Sequence, residues 1–466
     1  MKDLTQGNEF NHILKFSIPM LLGSVFQQLY NVVDSLIVGN FLGNSSLGAV
    51  GASFPVMFVL ISMIIGLTMG MSVVISQYYG AKDMDRVKKA IDSMIIFVIT
   101  SGIIVGLIGH FLSERIFILL NFPPDVIAEA STYFKIIISG VIFMFGYNGV
   151  SAILRGLGDS KTPLYFLIVT TVLNIILDLI FVLWFKLGIA GVAWATVISQ
   201  AVSFFGLIIW LNKKHNFIKI KLFNLEFDKN IFSKSVRIGA PAGIQQTIVG
   251  LSATALTSIV GGFGTETVAG FAVAIRIDSF AMMPAMNVSI ALTNFVGQNI
   301  GAGKTDRVKK GYKSALGLSC GISLLLGLVF LFFSRQLVAF FTPDPAVQLV
   351  GSQFLRTCSM FYVFLSAMFM TNGVLRGAGD TMVPMLNTMV ALWCVRIPVA
   401  LLLAKGWSDF SILGKEIHGW EGFGSRGIWW GAPVSWVVGF LLAFTYYKKG
   451  NWKRKAVINT EIGFDN

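Results

Sequence analysis

Long apolar runs separated by short polar breaks recur from one end of the chain to the other, for example Ser93–Gly109, Thr162–Phe185 and Leu316–Phe333. A helix needs roughly 20 such residues to cross a bilayer. The pattern predicts twelve spans, near 12–39, 46–79, 90–111, 131–153, 163–185, 189–211, 236–260, 268–299, 311–333, 350–374, 384–404 and 427–447. The second and eighth are long enough to be tilted or bent. The fold expected is therefore an all-α membrane protein of about twelve transmembrane helices.

Comparing the chain with itself reveals a duplication. At a shift of 221, GAKDMDRVKK (80–89) overlays GAGKTDRVKK (301–310), Gln77 falls on Gln298, and LRGLGDSKTP (154–163) overlays LRGAGDTMVP (375–384). Pro19 meets Pro241 at a shift of 222, and GVAW (191–194) meets GIWW (427–430) at 236. Each copy holds six spans, an even number, so both enter the membrane from the same side. The expected relation is a pseudo-two-fold axis along the membrane normal. We divide the chain into a first six-helix lobe (1–211), a basic inter-lobe linker (212–235), a second six-helix lobe (236–450) and a tail (451–466), with the lobes flanking a central cavity.

Composition excludes a soluble globule, since 55% of residues are hydrophobic and 13% charged against roughly 25% charged in soluble domains. The formal net charge of +13 is a matter of topology, because Lys and Arg fall on alternate loops. They crowd 80–89, Arg155 and Lys161, the linker at 213–230, 301–310, Arg376 and the KKGNWKRK tail (448–455), while the opposite loops carry few. Both termini and the linker are thus expected on the cytoplasmic side of a bacterial or archaeal plasma (inner) membrane. Contact with anionic membrane lipids is a secondary use of the charge, and no nucleic acid is expected. The polar start MKDLTQGNEFNHILKF has no small-residue cleavage site, so no cleaved leader is expected. Cys320, Cys358 and Cys394 are odd in number and lie in apolar spans, as packing residues do.

Chemistry at bilayer depth is informative, because an ionised group there costs about 2.5–3.5 kcal/mol on insertion scales. Asp34, Asp178, Asp278, Arg276 and Arg396 are such groups. Gln27, Asn31 and Asp34 make one polar stripe on the first span, and Thr170, Asn174 and Asp178 another on the fifth. Thr196, Ser199, Gln200 and Ser203 share a face of the sixth. Hydrocarbon would leave these faces unsatisfied, so they must meet each other or water. A packing device needed by both copies should occur in both. Yet at the repeat shifts Asp34 corresponds to Leu256, Asn174 to Val395, Asp178 to Val399 and Thr196 to Ala432. Two carboxylates, an amide oxygen and a hydroxyl are hard donors suited to a cation, Na⁺ being the metal considered. Arg276 and Asp278 are candidates for pairing with each other or for substrate contact. NIGAGKT (299–305) lacks the first glycine of a phosphate-binding loop, Gln298 standing there, and reads as a helix-ending turn. His12, His110, His215 and His418 show no metal-ligand spacing.

On these residues the chain resembles the multidrug and toxic compound extrusion transporters, within the multidrug/oligosaccharidyl-lipid/polysaccharide flippase superfamily. The resemblance runs from IPMLLGSVFQQLYNVVDSLIVG (18–39) through QYYGAK, LRGLGDSKTP, VGQNIGAGK and LRGAGD. It implies the prokaryotic branch with its ion site in the first lobe, at Asp34, Asn174, Asp178 and Thr196. Another branch has an acidic residue on the seventh span, where this chain has Gln245 and Gln246. The function expected is a monomeric Na⁺- or H⁺-coupled antiporter that exports small organic, amphipathic or cationic compounds by alternating access, without a cofactor. Gln27, Asn31, Gln200, Gln245, Gln246, Arg276, Asp278 and Arg396 are candidates for cavity or substrate contact. The rival readings are a flippase for a lipid-linked saccharide and an intramembrane enzyme. The enzyme would need a nucleophile–base pair or metal ligands at depth, and the sequence offers neither.

Overall fold

The computed structural model describes residues 2–119, 122–214, 218–222, 224–406, 410–412, 415–417 and 420–458. His215 and His418 lie outside the described residues.

The first copy of the repeat forms α1 (Glu9–Phe41), α2 (Gly43–Gly80), α3 (Met84–Leu119), α4 (Pro124–Ser139), α5 (Val141–Gly156), α6 (Lys161–Leu179) and α7 (Ile189–Lys214). The second forms α8 (Lys229–Gly261), α9 (Thr265–Gly301), α10 (Thr305–Ala339), α11 (Pro345–Ser359), α12 (Tyr362–Gly377), α13 (Met382–Met389), α14 (Ile397–Lys405), α15 (Ser425–Trp429) and α16 (Gly431–Lys449). Among the described residues ten continuous stretches are long and apolar enough to cross a membrane, and two bent pairs, each counted as one span, bring the number to twelve. The bent pairs are the fourth and tenth spans, not the second and eighth, whose helices α2 and α9 run unbroken despite Pro55 and Pro284. α4 meets α5 at 47° and α11 meets α12 at 54°. The breaks fall at Gly140 and at Met360–Phe361, and Gly140 and Phe361 are partners at the 221-residue shift. A Cβ at Gly140 would lie 2.5 Å from Val197 of α7, so the bend seats backbone directly against a neighbouring side chain.

Two π-helical segments interrupt the spans. One, Ile180–Trp184, follows α6, and the other, Val390–Arg396, joins α13 to α14. Such wide turns are rare and concentrate at functional sites. The last loop before α15 adds a departure from helix, the antiparallel pair β1 (Phe410–Ile412) and β2 (Lys415–Ile417).

The chain packs as two compact units. One comprises Met1–Gln6, Lys15–Gly243 and Gly301–Gly303, the other Gly7–Leu14, Ile244–Ile300 and Lys304–Asn466. In the first, α3 packs on α4 and α5, α6 on α7, and α2 on α4 and α5. Linker residue Asp228 donates its N–H to Ser93 Oγ at 2.9 Å, and the opening part of α8 lies against α2 with no side chain between them. A Cβ at Gly66 would sit 2.1 Å from Gly243 N, and one at Gly70 would sit 2.4 Å from Ser235 O. In the second unit α10 packs on α11 and α12, and α12 on α16. Phe271, Phe354 and Trp429 form its aromatic centre, with ring centroids 5.4–5.5 Å apart. Arg307 of α10 ties down the start of α1: its guanidinium donates to Gly7 O at 2.9 Å, Glu9 Oε1 at 3.0 Å and Asn299 Oδ1 at 3.1 Å.

Candidate cation site

Polar residues four apart on α6 make a ladder along one side of that helix. Its lowest rung is Thr170, whose hydroxyl bonds Ser203 of α7 and also donates to Phe166 O at 2.7 Å. One turn on, Asn174 donates from Nδ2 to Thr196 Oγ1 of α7 at 3.4 Å. Tyr30 of α1 reaches the same hydroxyl at 3.2 Å. The next turn brings Asp178, which interacts electrostatically with Asp34 of α1, and both carboxylates act on Tyr30 and on Tyr133 of α4. The fold thus brings together the four residues singled out for cation binding. Asn174 and Asp178 are fully buried, while Asp34 and Thr196 are partly so.

What distinguishes the cluster is an excess of acceptors. Asp34 Oδ1, Asn174 Oδ1 and both oxygens of Asp178 are buried without a hydrogen-bond partner, as is Oε1 of Gln200 one turn along α7 from Thr196. Asn174 directs its amide nitrogen to Thr196, which leaves its oxygen as an acceptor alone. Among the described residues no Lys or Arg forms an ion pair with either carboxylate. Buried acceptors in this number call for an explanation, and a cation or proton held among them supplies it. The oxygens gathered here, from carboxylates, an amide and a hydroxyl, are hard donors.

An apolar plug closes one side of the cluster. Val38 is one turn beyond Asp34, Val182 one turn beyond Asp178, and Val192 one turn before Thr196. With Ile37 these three form a buried core, packed by Leu42, Tyr133 and Leu179 among others. Val182 lies inside the π segment, where the wide turn ends the α-helical phase of the Thr170–Asn174–Asp178 ladder.

Other candidates lie elsewhere. Gln27 and Asn31 are exposed, so of the α1 stripe Asp34 is the member that reaches the cluster. Gln245 is buried and committed: Nε2 donates to Thr388 Oγ1 at 2.6 Å and to Pro384 O at 3.2 Å, and Oε1 accepts from Arg376 at 3.3 Å. Gln246 is half-buried. The expected choice for Arg276 and Asp278 between mutual pairing and substrate contact needs correction on the first count. Residues two apart on a helix point to different faces, and Arg276 is exposed while buried Asp278 accepts from the Tyr362 hydroxyl and feels Arg396. Tyr30 and Tyr133 escaped the sequence reading. Tyr30 stands one turn before Asp34, a usable signal, whereas Tyr133 comes from a span with no polar pattern pointing to the site.

The MatE family pattern matches the chain twice, over residues 19–180 and 241–402, beginning on the prolines that register the repeat. The probable multidrug resistance protein YpnP of Bacillus subtilis (strain 168) is 33% identical over 453 residues, covering 97% of each chain. The probable multidrug resistance protein NorM of Thermotoga maritima is 26% identical, over 96% of this chain and 94% of its own. A solved structure described as the outward-facing conformation of a multidrug resistance MATE family transporter superposes with a TM-score of 0.87 at 24% identity. It covers 96% of this chain and 97% of its own, a likeness that speaks for the fold. Two family matches spanning both copies of the repeat, and a relative that similar along nearly the full length, make the assignment: the chain belongs to the MatE family and is a MATE transporter.

Proposed function

We propose that the chain is a cation-coupled antiporter that exports small organic compounds by alternating access, and that Asp34, Asn174, Asp178 and Thr196 hold the coupling ion. The carrying observation is the set of buried acceptor oxygens on Asp34, Asn174 and Asp178 that have no hydrogen-bond donor. The names of the relatives, multidrug resistance proteins of bacteria, favour drugs as the exported class. In this reading a monovalent ion moving down 100 mV contributes about 2.3 kcal/mol. It offsets one of the two negative charges of the Asp34–Asp178 pair on binding, and so favours whichever conformation closes around it. Asn174 Oδ1 and Thr196 Oγ1 are lone pairs that a proton does not require, which favours Na⁺. The protein would act as a monomer in the plasma membrane with both termini cytoplasmic, as the distribution of Lys and Arg suggests.

Transport by purified protein in lipid vesicles, with Na⁺ and pH gradients imposed separately, tests the proposal. Efflux of an organic cation driven by either gradient supports it and names the ion. Efflux indifferent to both gradients would remove the coupling, and movement of a lipid-linked saccharide in place of the organic cation would make the chain a flippase.

A further inference from the structure

α3 carries a second feature that ion coupling does not use. Its 36 residues rise about 54 Å, well beyond the roughly 30 Å of a hydrocarbon core, so its ends reach the headgroups. At one end lies the basic run 80–89. The apolar run Ser93–Gly109 follows, and His110 is the first polar residue beyond it. Two adjoining cavities lie along this end of the helix, sharing His110 and Phe111. The deeper is lined by Gly102, Ile103, Gly106, Leu107 and Ile142, and so is apolar apart from its His110–Ser139 rim. The outer one is lined by Glu114, Arg115, Ile118 and Lys135.

The shape of the groove follows from how α3 meets α4 and α5. A Cβ at Gly102 would fall 2.7 Å from Ile142 Cα, and one at Gly109 would fall 2.4 Å from Ile138 Cγ1. Missing side chains let α3 close on α4 and α5, and the two cavities lie beside that seam. At its polar rim the Ser139 hydroxyl lies 2.6 Å from Lys135 O and 2.9 Å from His110 Nδ1. The ring is thereby fixed at the junction of the two cavities. Arg115 and Lys135 outnumber Glu114, which gives the outer cavity a net positive charge before His110 is counted.

We infer that this groove is a binding site for an anionic phospholipid of the phosphatidylglycerol type, in the leaflet at the end of α3 remote from the basic run. The phosphodiester would lie against Arg115, Lys135 and His110, and an acyl chain would lie along Gly102–Leu107. Charge complementarity and polarity order select this occupant. The cationic end is at headgroup level, and the apolar end lies deeper by about 12 Å, eight helical residues at 1.5 Å each. A soluble phosphate compound would use the first half of the groove and gain nothing from the second. Basic pockets between transmembrane helices recognise lipid headgroups in this way. The inference stands whether or not transport is ion-coupled.

Native mass spectrometry of the detergent-purified full chain, titrated with phosphatidylglycerol, phosphatidylethanolamine or glycerol phosphate, tests it. Phosphatidylglycerol should be retained preferentially. Arg115→Gln and Lys135→Gln should each weaken that retention about fivefold, Glu114→Gln should strengthen it, and Leu107→Trp should reduce it by filling the acyl channel. Arg115→Lys and Lys135→Arg keep the charge and should keep the preference, which separates lost recognition from misfolding. Equal retention of the two lipids, a preference unmoved in the Gln variants, or full competition by glycerol phosphate would each overturn the assignment.

Discussion

Asn174 is where the two possible coupling ions part company. A sodium ion needs several oxygen donors, and Asn174 Oδ1 and Thr196 Oγ1 are among the few on offer beside the carboxylates. Asn174→Leu or Thr196→Val should raise the Na⁺ concentration for half-maximal efflux about tenfold or more, the worth of a hydrogen-bond-strength contact to a charge, while the pH optimum stays put. A pH optimum that moves, in a parent protein indifferent to Na⁺, would assign the same residues to a proton. The carboxylates are less forgiving. Asp34→Asn or Asp178→Asn should reduce gradient-driven efflux to background with the thermal unfolding midpoint preserved, because removing a buried charge relieves a desolvation penalty. Asp83→Asn is the control: that carboxylate sits in the α2–α3 turn beside Arg86, at 3.4 Å on the surface, and its loss should leave transport within about twofold, as exposed pairs contribute little.

At the scale of elements, the plug of Val38, Val182 and Val192 lies one helical turn from Asp34, Asp178 and Thr196 on three separate helices. Its job in this reading is to keep water and ions from crossing the site in both directions at once. Val182→Asn should therefore admit water, raise passive Na⁺ or H⁺ leak through vesicles and lower the substrate exported per ion, with the carboxylates untouched. Unchanged leak would reduce the plug to packing. The seam between α2 and α8 answers to another measurement. Gly66→Ala puts a methyl group 2.1 Å from Gly243 N and should cost about 1–3 kcal/mol by overpacking, read as a lowered unfolding midpoint. The sequence revealed these elements unevenly, for physical reasons. Asp34 and Asp178 were legible because charge at bilayer depth is expensive, and the twelve spans because hydrocarbon demands a fixed length of apolar helix. The plug was not, since Val38, Val182 and Val192 are ordinary residues for any span and acquire meaning only when three helices converge. The breaks at Gly140 and Phe361 were equally silent. Each lies within an apolar run long enough to be one helix.

For the whole molecule, the proposed orientation rests on the distribution of Lys and Arg. With Cys320, Cys358 and the exposed Cys394 replaced by serine, single cysteines at 216–230 should be labelled from the cytoplasmic side only and those at 408–424 from outside only. Labelling of both from one face would undo the five spans counted between them, and the parallel relation of the repeats with it. The anchoring of α1 bears on how such a chain comes to be finished. Gly7 and Glu9 are held by Arg307, 300 and 298 residues downstream. At about 5–20 residues per second of synthesis, that segment waits roughly 15–60 s for its partner. Arg307→Ala should therefore leave the segment around Gly7–Leu14 open to protease in the mature protein, as it is in a nascent chain arrested before residue 305. Protection of that segment is then a birth certificate: its contacts with Arg307 can form only in a molecule translated past the start of its ninth span.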